Sequence, residues 1–258
     1  MAKTASPTVT SILKDIRSAL EERSDEKGRA TPPPKGPLKA IGVRAGAVKA
    51  VAREVAVRHK TILDYALAAD LLDAAAARRV REEILVAVEL LDRFRKDFDA
   101  SLILRIDKWS GVADDLEVAE ALGAKVASCA LALDPSKIAT VRKWARLRSV
   151  GRKRLALLAA VGLVSEGRRD AAIALDLCEI LLNEDHPVLV SEVAGLLRTT
   201  TKIDAKAVQD FLFRRSIDGN PAILRAGSEN LDAARRAALI AKLEAQQASL
   251  GTLAAAGR

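Results

Sequence analysis

The sequence predicts an all-α chain built from repeated two-helix units, and three observations lead there. From residue 42 onward no stretch alternates apolar and polar residues convincingly with period two. The 3.6-residue apolar spacing of a helix recurs instead, as in Val48, Val51, Ala52 and Val55, or in Ile84, Leu85, Val88 and Leu91. Helical patterns restart near Arg78, Asp114, Gly151, His186 and Asn220, at intervals of 36, 37, 35 and 34 residues. Each interval holds one short polar or Pro-containing break, at residues 97–100, 134–135, 167–170 and 202–204. A two-helix unit repeated at this length is the signature of an α-solenoid of the HEAT or armadillo kind, an α-α superhelix in which units stack side by side and second helices line a concave face.

Taken in order, the elements begin at residues 11–23. There Ile12, Leu13, Ile16 and Leu20 form one apolar face, with Ser11 available as a cap, so residues 1–23 are expected to carry an amphipathic helix. Residues 24–40 read as a linker or irregular arm, because Pro32-Pro33-Pro34 cannot continue a helix and Gly28 and Gly36 add nothing to bury. Residues 41–258 are the solenoid. Aromatic residues make up only 3% of the chain, so Leu, Ala, Val and Ile must do the packing. With 258 residues, half of them apolar, there is enough chain for a real core, as one extended domain or two small ones.

The charge points to a partner. Net charge is +8 and the isoelectric point lies near 9.7. Between residues 141 and 154 stand seven cations, Arg142, Lys143, Arg146, Arg148, Arg152, Lys153 and Arg154, with no acid among them, across a predicted helix-turn-helix joint. A basic run on an Ala-rich helix is either a solvated face or a phosphate-binding surface. Solvated helices intersperse Glu with Lys and Arg, as residues 78–83 do here with Arg78, Arg79 and Arg81 against Glu82 and Glu83. The missing acids therefore favour phosphate. Residues 136–147 count as a second helix, which places Arg142, Lys143 and Arg146 at the expected groove. Few aromatics argue against a base-stacking platform for single strands or RNA, so duplex backbone is the natural target.

Other chemistries find little support. Cys129 and Cys178 lie far apart within apolar helical patterns and read as buried free thiols in a reducing compartment. His59 and His186 have no metal-ligand spacing to each other or to the cysteines, so no metal is expected. The chain has no GxxxxGK[ST] loop, no GxGxxG after a strand, no GxSxG elbow and no CxxC pair. Residues 1–10 lack the apolar core of a signal peptide, and no run approaches a membrane span, which leads us to expect a soluble protein of the cytosol or nucleoid. The remaining carboxylates near the basic run are Asp114, Asp115, Glu117 and Glu120. The first two suit a cap and a helix dipole, while Glu117 and Glu120 share a face three residues apart.

Ile41-Gly42-Val43-Arg44, Arg81-Glu82-Glu83, Trp109, Trp144 through Arg154 and residues 190–198 occur together in an order that resembles the bacterial DNA alkylation repair proteins, the AlkD-type alkylpurine DNA glycosylases of HEAT-like repeats. Ile41-Gly42-Val43-Arg44 and the helix after it look like the family's GVR-type opening, and Arg81-Glu82-Glu83 through Leu91 like its RxE-rich helix. Trp109, seven residues ahead of Leu116, matches the lead-in to the catalytic helix. Trp144 through Arg154 and Ala156 resembles the W-x(9)-R-x-A stretch, and residues 190–198 resemble the QKAIGWALR-type helix.

The resemblance implies excision of cationic alkylated purines from duplex DNA without metal or cofactor. In that scheme an Asp carboxylate supports the cationic sugar, two Trp rings pack on the deoxyribose and an Arg holds the phosphate. Here Arg154 matches the phosphate-holding Arg, preceded by Lys153. The catalytic Asp falls on Glu120, one methylene longer, and the two sugar-packing rings fall on Leu116 and Gly195. The expected function is thus a duplex-DNA-binding member of the family with excision reduced or absent. The alternatives are an active glycosylase using Glu120 and Arg154, or a scaffold whose groove binds an acidic protein segment. No particular protein partner is implied.

Overall fold

The computed structural model describes residues 6–24, 38–165 and 170–256, the last eight by backbone alone. Among these residues every regular element is helical, and the only β-type pairing is an isolated parallel bridge between Lys39 and Val80. The Pro-rich arm at residues 25–37 lies outside the described residues, as do residues 166–169 of one expected break. The chain divides into two compact units, Met1–Asp134 and Pro135–Arg258.

The first unit opens with α1 (Pro7–Glu22), then α2 (Ala45–Arg58), α3 (Tyr65–Arg78), α4 (Arg81–Asp92) and α5 (Leu102–Trp109). It closes with α6 (Leu116–Leu122), which runs through a π turn (Gly123–Ala127) into α7 (Ser128–Leu133). The first helix begins earlier than its apolar face suggests. Ser6, not Ser11, is the cap, its hydroxyl accepting from Val9 N–H at 3.3 Å, and Pro7 suits the first helical position because its missing N–H would be unsatisfied there anyway. This helix buries Ile12, Leu13, Ile16, Ala19 and Leu20 against α2, α3 and α4, so it is built into the first unit.

Glu82 and Glu83 are the main surprise in this unit. Their spacing with Arg78, Arg79 and Arg81 suggests a solvated helix face, yet they are 3% and 0% exposed. Each carboxylate has an assigned task. Glu82 accepts from the N–H groups of Ile41, Gly42 and Val43 at 2.9, 2.9 and 3.4 Å, which ties the segment before α2 to the start of α4. Gly42 sits at φ 87°, a conformation that favours glycine, and this allows the turn to present its N–H groups to one carboxylate. Glu83 receives Arg17 of α1 at 2.6 Å and Arg78 at 3.1 Å.

The second unit contains α8 (Ile138–Ala145), α9 (Val150–Ser165), α10 (Ala171–Ile180), α11 (Pro187–Thr201), α12 (Ala205–Arg215), α13 (Pro221–Gly227) and α14 (Ala233–Ala256). Repeat starts at Arg81, Leu116, Val150, Pro187 and Pro221 lie 34 to 37 residues apart, in agreement with the spacing read from the sequence. Side chains punctuate these restarts. Asp115, His186 and Asn220 accept backbone N–H groups two or three residues ahead, and Asp170 and Asp204 do the same for the second helices.

Within the second unit the first helices of successive repeats pack on one another, α9 on α11 and α11 on α13, and the second helices follow the same order from α8 to α10 to α12. This is the packing of a solenoid. Close approach requires small residues at the contacts. A Cβ on Gly227 would come within 2.6 Å of Leu197 Cδ1, so α13 reaches α11 only because that side chain is absent.

The thiols are buried as expected. Neither Cys129 nor Cys178 forms a disulfide, and burial pushes the Cys178 thiol up from its ordinary range. We therefore expect no reaction of Cys178 with a disulfide reagent at pH 8 while the protein is folded, and full reaction once denaturant unfolds it. Mass spectrometry of the labelled peptide distinguishes the two states. Labelling in the folded protein would contradict the buried position.

Candidate nucleic-acid interface

The second unit carries most of the net charge. It holds 20 Lys and Arg against 13 Asp and Glu, a net of +7, whereas the first unit holds 22 against 21, a net of +1. A partner recruited by net charge is therefore drawn to the second unit.

The basic run is divided by the fold of the α8–α9 hairpin. Arg142 and Lys143 lie on the last turn of α8, Arg146 and Arg148 in the connection, and Arg152, Lys153 and Arg154 on the first turns of α9. Ser149 opens α9, its hydroxyl accepting from Arg152 N–H at 3.2 Å. Arg146 and Arg148 are exposed, and among the described residues neither has an acid within ion-pair distance. They leave two cations uncompensated at the hairpin end.

Three other cations meet acids invisible in their local sequence. Arg142 Nε donates to Asp176 at 2.7 Å, Lys153 Nζ to Glu184 at 2.5 Å and Arg154 Nε to Glu192 at 2.9 Å. The partners stand 34, 31 and 38 residues ahead, about one repeat away. The same spacing recurs in the first unit, where Arg81 pairs with Asp115 34 residues on, and Trp109 Nε1 donates to Asp73 36 residues back at 2.6 Å. These acids lie about one period from their cations, beyond what the local sequence around each cation shows.

Exposure ranks the three pairs. Arg142 and Asp176 are 34% and 42% exposed, so water and salt weaken that contact toward the small value of a surface pair. Arg154 and Glu192 are 15% and 23% exposed, and Lys153 and Glu184 17% and 22%. These two are screened less and held more firmly.

The candidate catalytic positions divide between the units. In the first, Asp115 is the cap expected there. It accepts from Glu117 and Val118 N–H groups and pairs with Arg81 at 2.6 Å. Burial works against the Arg81 charge, but the hydrogen bond and the charges of Asp115 and Glu117 outweigh it and hold the guanidinium above its ordinary range. Glu120 is exposed on the seven-residue α-helical stretch that runs from Leu116, which is half-buried, to the π turn. Glu117 is 57% exposed. In the second unit, Gly195 lies on α11 one turn beyond Glu192. A Cβ there would meet nothing closer than Arg198 Nη2 at 3.8 Å, so packing does not demand a glycine.

The remaining residues singled out by the sequence have structural partners. His59 Nε2 lies 2.9 Å from Asp15, and His186 Nδ1 accepts from Val188 N–H at the start of α11. Trp109 and Trp144 are buried at 2% and 0% exposure. Among the described residues no three His, Cys, Asp or Glu side chains are placed to share a metal ion, and no helix is long and apolar enough to cross a membrane.

Comparison with known proteins places this architecture. No curated protein matches the chain. A family model described as DNA alkylation repair enzyme matches residues 16–231, from the second half of α1 to just short of α14. The chain belongs to the DNA alkylation repair enzyme family.

Proposed function

We propose that this protein acts in DNA alkylation repair by binding the backbone of duplex DNA through its second unit, with base excision reduced or absent. The carrying observation is the concentration of net charge in the second unit, with Arg146 and Arg148 exposed at the end of a basic hairpin. Clustered cations answer the dense phosphate charge of a duplex, and that term supplies most sequence-independent affinity.

The excision half of the reading rests on what stands at the positions that the family resemblance marks. Glu120 carries the right charge on a longer stem, and an error of placement of about 1 Å costs on the order of 10²-fold in rate. Leu116 and Gly195 offer no aromatic face to a cationic sugar, and each missing contact is worth roughly 0.5–2 kcal/mol. An exposed carboxylate also acts through a high dielectric, where its stabilisation of a developing cation is small. Base release from duplex containing N7- and N3-methylpurines, with wild type and Glu120→Gln side by side, tests this half. We expect no release above background from either protein while duplex binding persists. Release by wild type that is lost in Glu120→Gln would instead establish an active glycosylase using Glu120 and Arg154.

A further inference from the structure

We propose that Glu192 and Glu184 are internal competitors for phosphate: they occupy Arg154 and Lys153 until a duplex displaces them, and so limit how tightly the second unit holds DNA. This inference rests on the duplex-binding reading above.

The seven cations of the basic run are not equivalent. Arg146 and Arg148 are exposed and unpaired among the described residues, Arg142 is weakly held, and Lys153 and Arg154 are held at 2.5 and 2.9 Å by acids that are themselves largely covered. A carboxylate and a phosphate present the same kind of oxygen to the same donors, so each can replace the other on a guanidinium or ammonium group. Engagement of Arg154 by phosphate therefore costs an existing ion pair and leaves the Glu192 charge beside the incoming one. The gain from that contact is a difference between two similar bonds, whereas the gain at Arg146 or Arg148 is unopposed.

Packing beside the pair is not tight. Gly195 follows Glu192 by three residues on the same face of α11, and a Cβ built there would meet no neighbouring side chain closer than Arg198 Nη2, at an ordinary contact distance of 3.8 Å. Glu192 comes from the repeat after that of Arg154, and Glu184 from the connection that leads into it. A change in the spacing of α9 and α11 would alter the Arg154–Glu192 contact.

The test uses the whole protein and a fluorescently labelled undamaged duplex, titrated over a salt series. Wild type is compared with Glu192→Gln, Glu184→Gln and, as a control for net charge, Asp185→Asn, an exposed acid beside Glu184. Releasing an ion pair of this exposure should raise affinity about two- to fivefold at low salt for either Gln variant. The slope of log K against log salt should steepen by about 0.9 for each cation handed to phosphate. Asp185→Asn should leave the slope unchanged, and Arg154→Gln combined with Glu192→Gln should remove the increment. Should wild type bind and neither Gln variant gain, or should Asp185→Asn gain equally, competition is overturned while duplex binding stands. Absence of binding by every protein, with far-ultraviolet circular dichroism unchanged, would end both readings.

Discussion

Replacing Arg146 and Arg148 together by alanine is expected to weaken duplex binding roughly 10- to 50-fold near 0.1 M salt and to flatten the salt slope by about two units. Both side chains stand at the α8–α9 connection, exposed, with no acid in ion-pair distance among the described residues. Their removal subtracts two phosphate contacts and disturbs no packed element. The paired replacement of Lys153 and Arg154 should have a smaller effect, a flattening of less than about one unit, because Glu184 and Glu192 already neutralise those cations. Fluorescence anisotropy with one duplex across four salt concentrations measures both. Equal effects of the two pairs would show that the acids on the next repeat do not discriminate among the cations.

The largest expected effect on stability is at Glu82. Glu82→Ala removes the acceptor shared by three backbone N–H groups and leaves them covered at the start of α2, at an expected cost of about 3–5 kcal/mol. Glu82→Gln retains one carbonyl oxygen but turns an amide donor toward the same N–H groups, and should lose most of that amount as well. A nearby exposed carboxylate, Asp70, whose contact with Arg105 is a surface pair at 2.7 Å, should cost under about 1 kcal/mol when replaced by Ala. Urea unfolding of the three variants gives the ordering. Glu82→Ala as mild as Asp70→Ala would mean that the segment before α2 is not held by this carboxylate.

The repeat length and the helix starts were legible in the sequence because they depend on local chemistry. Asp115, His186-Pro187 and Asn220-Pro221 announce helix starts within two residues, and the apolar spacing between them needs no partner to be recognised. The charged groups were less legible, since their roles are decided across repeats. Glu82 and Glu83 have the local pattern of a solvated face, yet they are buried because the segment 41–43 and Arg17 arrive from more than 38 residues away to satisfy them. The run from Arg142 to Arg154 looks free of acids for the same reason. Its counter-ions Asp176, Glu184 and Glu192 come from 31 to 38 residues further along.

The candidate site shows the same division. The charge at Glu120 and Arg154 can be read from residue types, and so can the absence of rings at Leu116 and Gly195. That Arg154 is held by Glu192 cannot be read locally. This pairing is why Arg146 and Arg148, which no family pattern marks, stand as the more available cations of the run.

The decisive measurement is binding of wild-type protein to an undamaged duplex over a series from low to moderate salt. We expect measurable affinity at low salt that falls linearly in log K against log salt, with a slope of at least about −2, the share of Arg146 and Arg148 alone. Binding that is absent at low salt, or that does not change with salt, would contradict the duplex-binding reading.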